Sequence, residues 1–134
     1  MLKKLNHIAI AVDNLKESIK HYKACFNPEI SDILDLPEHG VKTAFIKIPN
    51  TNIELLEPLG KKSPIKKFLD KFPDGGVHHL CYEVNDIEIA IKYLEKKGCN
   101  ILGGGIPRLG AHNKPVIFIH PKEFNGTLIE LEQA

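Results

Sequence analysis

The chain has 134 residues, 43% of them hydrophobic and 26% charged, and 18 Lys+Arg against 17 Asp+Glu leave a net charge of +1. That length suits one compact domain, and the near-neutral balance gives no bulk electrostatic reason to expect a nucleic-acid or anionic-membrane partner. No stretch approaches the roughly 18 consecutive apolar residues of a membrane span, and the N-terminus runs straight into a strand pattern with no signal-peptide apolar region. Cys25, Cys81 and Cys99 are odd in number and form no CxxC pair, which reads against a disulfide framework and points to a reducing, cytoplasmic setting. Cys81 lies inside an apolar strand pattern and reads as a small buried hydrophobe.

Leu5 to Val12 is a short apolar run rich in β-branched residues and predicts a buried strand. Asn14 caps the next element, with Glu17 three residues on. Leu15, Ile19, Tyr22 and Phe26 then follow at helical spacing until Asn27-Pro28 stops the helix. Three strands are predicted next, over Ile30–Leu36, Val41–Ile48 and Asn52–Leu56, punctuated by Pro37-Glu38-His39-Gly40 and Pro49-Asn50. Pro64 to Phe72 predicts a short linking helix, and Pro73-Asp74-Gly75-Gly76 marks the middle of the chain.

The pattern then repeats. Val77 to Val84 is a second strand with a histidine near its start, and Asn85-Asp86 opens a helix with Ile87, Ala90, Ile91 and Leu94 on its apolar face, ending at Gly98. A shift of 79 − 7 = 72 residues carries His7 onto His79, Val12 onto Val84, Leu15 onto Ile87 and Ile19 onto Ile91. Strands predicted over Cys99–Leu102, Arg108–Ala111, Val116–His120 and Thr127–Leu131 complete the second copy. The halves also end alike, Ile53-Glu54-Leu55 against Ile129-Glu130-Leu131, at an offset of 130 − 54 = 76; an insertion in the second half, placed at Gly103-Gly104-Gly105, accounts for the difference. The chain therefore reads as a tandem βαβββ duplication. The expected fold is α+β, a curved mixed sheet around a metal cleft, in one domain: module one over about residues 1–60, a linker helix over about 61–74, module two over about 75–134. Neither copy could bury its sheet face alone.

Each copy offers a histidine in its first strand and a glutamate in its last: His7 and Glu54, then His79 and Glu130. Ionisable residues inside apolar strands need partners, because unpartnered burial costs on the order of 1–3 kcal/mol or more. One strand histidine is ordinarily a satisfied core residue; four residues at repeat-related places point instead to a shared purpose. Two carboxylates brought together repel unless a cation lies between them, and a divalent metal with nitrogen and oxygen ligands resolves the conflict. His78 falls on the other strand face from His79 and reads as structural, and His21 reads as solvated. His39, His112 and His120 fall near loops or strand ends, where surface roles and substrate contacts are both open. Glu57, Glu83 and Glu132, close to the ligand candidates, read as pointing outward.

Here the residues resemble a known family. The duplicated unit with one His and one Glu per copy resembles the vicinal-oxygen-chelate (glyoxalase-like) superfamily. LNHIAIAVDNL, LPEHGV, IELLEPLG, SPIKKFL, GGVHHLCYEV, LGAHNKPVIFIHP and GTLIELEQA are similar to segments of its methylmalonyl-CoA epimerase family, across essentially the whole chain. The resemblance implies an isomerase that interconverts (2R)- and (2S)-methylmalonyl-CoA through an enolate. It implies His7, His79 and Glu130 as metal ligands, and Glu54 as a fourth that binds directly or through water. It also implies Glu38 as a proton-transferring base; the opposite-face partner is not visible, and the metal-side carboxylate Glu130 is counted as catalytic with it. The implied cofactor is one divalent ion per chain, Co²⁺ foremost, with Ni²⁺, Zn²⁺ and Mn²⁺ equally compatible with the ligand set. The implied assembly is a homodimer acting on an acyl-CoA. Arg108, His112, Lys114 and Lys122 are the residues set aside for substrate contacts. A glyoxalase I-like lyase acting on a glutathione hemithioacetal would use the same ligands. A non-catalytic binding protein on this fold would not need them, and an extradiol dioxygenase would leave the Glu54 place empty.

Overall fold

The computed structural model describes residues 1–134. In chain order its elements are β1 (Leu2–Ala11), α1 (Leu15–Phe26), β2 (Glu29–Ile30), β3 (Leu34–Leu36), β4 (Val41–Ile48), β5 (Thr51–Pro58), α2 (Pro64–Lys71), β6 (Gly76–Val84), α3 (Ile87–Lys96), β7 (Arg108–Leu109), β8 (Pro115–Ile119) and β9 (Leu128–Gln133). The chain forms two compact units, His7–His78 on the one hand, and Met1–Asn6 with His79–Ala134 on the other.

In the His7–His78 unit, β2 and β3 pair antiparallel with β4, β4 runs antiparallel to β5, and β5 runs parallel to β1. Helix α1 starts where Asn14 accepts the Glu17 N–H and stops at Asn27, whose left-handed backbone (φ 47°) breaks the helical run. Its Leu15 packs with Ala44, Ile46 and Leu55 on one face of the sheet. Helix α2, capped by Ser63, covers part of the opposite face, where Ile65 meets Ala9, Ala11, Val41 and Leu56. The strand predicted over Ile30–Leu36 is two strands. The Ser31 hydroxyl accepts the Phe45 N–H at 2.8 Å, so a side chain takes the place of a ladder bond and interrupts the pairing.

In the other unit, β6 runs parallel to β9, β9 antiparallel to β8, and β8 antiparallel to β7. Helix α3, capped by Asp86, buries Ile87, Ala90 and Ile91 against Ile117, Ile119, Ile129 and Leu131. The strand predicted over Cys99–Leu102 is absent: Ile101 makes a single bridge to Ile119, and the chain then turns through Gly103 and Gly104, both at left-handed φ. These glycines do not carry the whole insertion. Phe45 pairs with Glu54 in the first hairpin and Phe118 with Glu130 in the second. The separations, 54 − 45 = 9 and 130 − 118 = 12, put three of the four extra residues in the β8–β9 connection, which holds the short 3-10 turn Pro121–Glu123.

Candidate metal and proton-transfer site

Strand alternation puts His7 and Ala9 of β1, Glu54 of β5, and Thr43 and Phe45 of β4 on one face, since Ala9 registers with Glu54 and Phe45 with Glu54. His7 is 2% exposed and Glu54 4%, and the imidazole Nε2 lies 3.2 Å from Glu54 Oε1. The other carboxylate oxygen, Oε2, accepts a hydrogen bond from the Thr43 hydroxyl at 2.8 Å. The edge of one ring meets the face of the other between His7 and Phe45, with centroids 5.5 Å apart.

The second unit repeats this construction. His79 is 4% exposed and Glu130 6%, and His79 Nε2 lies 2.9 Å from Glu130 Oε2. Phe118 stands edge-on to His79, again at 5.5 Å. Cys81, in register with Glu130, is fully buried, and its thiol, read from the sequence as a small hydrophobe, is a further candidate donor beside the Glu130 carboxylate. In each unit a buried imidazole nitrogen therefore faces a buried carboxylate oxygen. Such N and O donors suit a divalent ion of borderline hardness, and these His and Glu side chains are groups able to hold one.

Glu38 is exposed at the tip of the turn between β3 and β4. Gly40 holds that turn in place: its N–H donates to Pro37 O, and its carbonyl accepts from the Leu59 N–H and the buried Ser63 hydroxyl. The turn before β8 has the same bond at the equivalent place, Asn113 N–H to Gly110 O, and Asn113 (φ 58°) matches Gly40 (φ 68°) in left-handed backbone. Leu109-Gly110-Ala111-His112-Asn113 is thus the repeat counterpart of Leu36-Pro37-Glu38-His39-Gly40.

Three carboxylates differ from their reading as outward-pointing. Glu132 is 2% exposed and Glu83 7%, because the two-residue strand period puts them on the faces of Glu130 and of His79 and Cys81. Glu132 Oε2 lies 3.0 Å from His112 Nδ1, and its Oε1 accepts from Asn6 Nδ2 at 3.3 Å. Lys4 pairs with Glu83 at 3.1 Å. Glu57 is half-buried and accepts the Leu15 N–H at the start of α1. The period itself was the available signal for Glu132 and Glu83; nothing local to Thr43 marks it as a partner of Glu54.

Arg108 and Lys122 are exposed, Lys114 is half-buried, and all three belong to the unit that carries His79 and Glu130. His120 accepts the Lys122 N–H and so caps the 3-10 turn, His78 stands edge-on to Phe68, and His21 is exposed beside Cys25.

The family model for the Glyoxalase/Bleomycin resistance protein/Dioxygenase superfamily matches residues 6–118. The chain belongs to this superfamily. Its α+β content and tandem mixed-sheet units are the glyoxalase fold. An ethylmalonyl-CoA/methylmalonyl-CoA epimerase of Cereibacter sphaeroides is 53% identical over 134 residues, the full length of both chains. The mitochondrial methylmalonyl-CoA epimerase of Homo sapiens is 48% identical over 133 residues, covering 99% of this chain and 75% of that one. A solved methylmalonyl-CoA epimerase in complex with methylmalonyl-CoA and NH4+ superposes with a TM-score of 0.92 at 30% identity, covering 100% of this chain and 96% of the other. The similarity to methylmalonyl-CoA epimerases seen in the motifs thus holds across the whole glyoxalase-superfamily chain. No helix is long and apolar enough to cross a membrane.

Proposed function

We propose that the protein is a divalent-metal-dependent isomerase that interconverts (2R)- and (2S)-methylmalonyl-CoA by moving the proton on C2. The observation that carries this reading is the buried His–Glu pair built twice, His7 with Glu54 and His79 with Glu130. The substrate is inferred from relatives named for this reaction, one of them solved with methylmalonyl-CoA.

In this reading His7, Glu54, His79 and Glu130 together hold one ion per chain, Co²⁺ foremost and Ni²⁺, Zn²⁺ or Mn²⁺ as alternatives with the same donors. When bound, the ion supplies Lewis-acid stabilisation of the negative charge that develops on the enolate oxygen. The remaining work falls to side chains. The C2 proton lies between a thioester carbonyl and a carboxylate, so it is acidic for a C–H yet needs a positioned base. Glu38 is that base: its turn is fixed through Gly40 to Leu59 and Ser63, while its carboxylate stays at the exposed tip. Glu130 is the carboxylate ligand from the second repeat; Oε2 is engaged with His79, and Oε1 faces the Gly110 turn. Arg108 and Lys114 offer positive charge to the CoA phosphates. The protein works on this reading as a single domain, in the cytoplasm and as a homodimer.

Proton NMR of methylmalonyl-CoA in heavy water tests the proposal. Exchange at C2 with interconversion of the two epimers, requiring both protein and a divalent metal, is the expected result. No exchange under any of the four metals, together with turnover of the methylglyoxal–glutathione adduct, would move the assignment to a lactoylglutathione lyase.

A further inference from the structure

Positive charge is concentrated in one stretch of this nearly neutral chain. Between Leu59 and Phe72 lie five lysines, Lys61, Lys62, Lys66, Lys67 and Lys71, against the single acid Asp70. The stretch therefore carries 5 − 1 = +4, and all other residues together carry 1 − 4 = −3. The five lysines are exposed. Lys4 and Lys47 pair with glutamates, whereas the side chains of Lys61, Lys62, Lys66 and Lys67 make no ion pair. Lys67 and Lys71 stand about one turn apart on α2, a like-charge spacing that destabilises a helix. A bound anion relieves such a cluster.

The fold ties this cluster to the candidate site. His7, Ala9 and Ala11 alternate onto one face of β1, and Ile65 of α2 packs with Ala9 and Ala11. The helix thus lies on the face of the His7–Glu54 pair, on the order of 10 Å along the strand from it. Ile65, Phe68 and Leu69 pack against the sheet, which leaves Lys66, Lys67 and Lys71 on the outer side. Lys61 and Lys62 are held beside the turn that carries Glu38. On either side of them, the Leu59 N–H and the buried Ser63 hydroxyl both donate to Gly40 O. Resting on the epimerase reading above, we propose that Lys61, Lys62, Lys66 and Lys67 anchor the 3′-phosphate and diphosphate of the CoA thioester. The flexible pantetheine arm bridges the distance from the reacting carbon to these lysines. A lysine ammonium binds phosphate as a point charge without a fixed geometry, which suits a tail whose acyl end alone needs close placement. Arg108 and Lys114 bring one charge each, from the other unit, and the lysine cluster takes the larger share.

Kinetics with two thioesters tests this: methylmalonyl-CoA, and methylmalonyl-pantetheine, which lacks the phosphates and the nucleoside. In Lys66→Glu/Lys67→Glu, KM for methylmalonyl-CoA should rise about 10-fold at low salt while kcat is kept. KM for the pantetheine thioester should not change. Lys61→Glu/Lys62→Glu should act in the same direction. Added salt should narrow the gap between parent and variants, since exposed charges are screened. Calorimetry with free CoA gives a reading independent of turnover, and its Kd should rise by the same factor. Lys16→Glu/Lys20→Glu, on exposed places of α1 over the opposite face of the sheet, makes the same change in net charge and should leave KM unaltered. Parental KM for methylmalonyl-CoA in both cluster variants overturns the proposal. An equal rise for the pantetheine thioester, or in the α1 variant, overturns it too. Each of these results leaves the epimerase reading standing; absence of C2 exchange from either thioester in the wild type overturns both.

Discussion

The Glu57 carboxylate accepts the backbone N–H of Leu15 at 2.9 Å, tying the end of β5 to the first turn of α1. Gln133 does the same for Ile87 at the start of α3, also at 2.9 Å, and its amide donates to Asn85 O as well. The last strand of each repeat thus caps the helix of that repeat. A helix N-terminus favours a negative partner, so Glu57→Gln should cost a few tenths of a kcal/mol and Glu57→Ala about 1 kcal/mol. Gln133→Ala should cost about 1–2 kcal/mol, since it strips partners from both Ile87 N–H and Asn85 O. Denaturant melts of the three variants check the order.

Removing a first-repeat or second-repeat ligand should have similar effects, because each pair sets a buried imidazole nitrogen against a buried carboxylate oxygen, at 3.2 Å in one unit and 2.9 Å in the other. His7→Ala, His79→Ala and Glu130→Ala should each lower metal content sharply. Elemental analysis after dialysis against trace metal reads this directly, and full occupancy in all three would refute the ligand assignment.

Thr43 donates to the Glu54 oxygen that is turned away from His7. Loss of such a supporting bond typically weakens metal binding by about 10–100-fold. Thr43→Val, nearly isosteric in a fully buried place, should show a loss at the low end of that range in metal titration, and Thr43→Ser should recover most of it.

Glu38→Gln should retain metal and bind substrate within a few-fold of the parent, yet lose about 10²–10⁴ in turnover. Steady-state kinetics beside metal analysis separates the two effects. Parental turnover would return Glu38 to plain solvated surface.

The repeat was legible because apolar spacing and helix caps recur at a fixed offset, and His7, His79, Glu54 and Glu130 stood out as charge within apolar strands. Their pairing within each unit follows from β1 lying parallel to β5 and β6 to β9, a neighbour relationship that periodicity alone does not give. Glu132 was misread for a related reason: a glutamate two residues from a ligand looks like surface until Asn6 and His112 are seen to meet it. The strand expected at Cys99–Leu102 failed because the glycines after it take left-handed backbone, which local hydrophobicity does not reveal.

The covering of the two repeats has an evolutionary consequence. In the first, Ala11, Val41 and Leu56 form an apolar floor that α2 closes. Their counterparts in the second are Glu83, Lys114 and Glu132, and Lys4, Asn6 and His112 engage the two glutamates there. Two copies of the first repeat fused head to tail would have both His–Glu pairs and a histidine at each turn, His39 standing at the place of His112, yet would lack the buried glutamates of the polar floor. An ancestor assembled from identical halves would have carried two apolar floors, so the charge beneath the second sheet is a divergence confined to one copy.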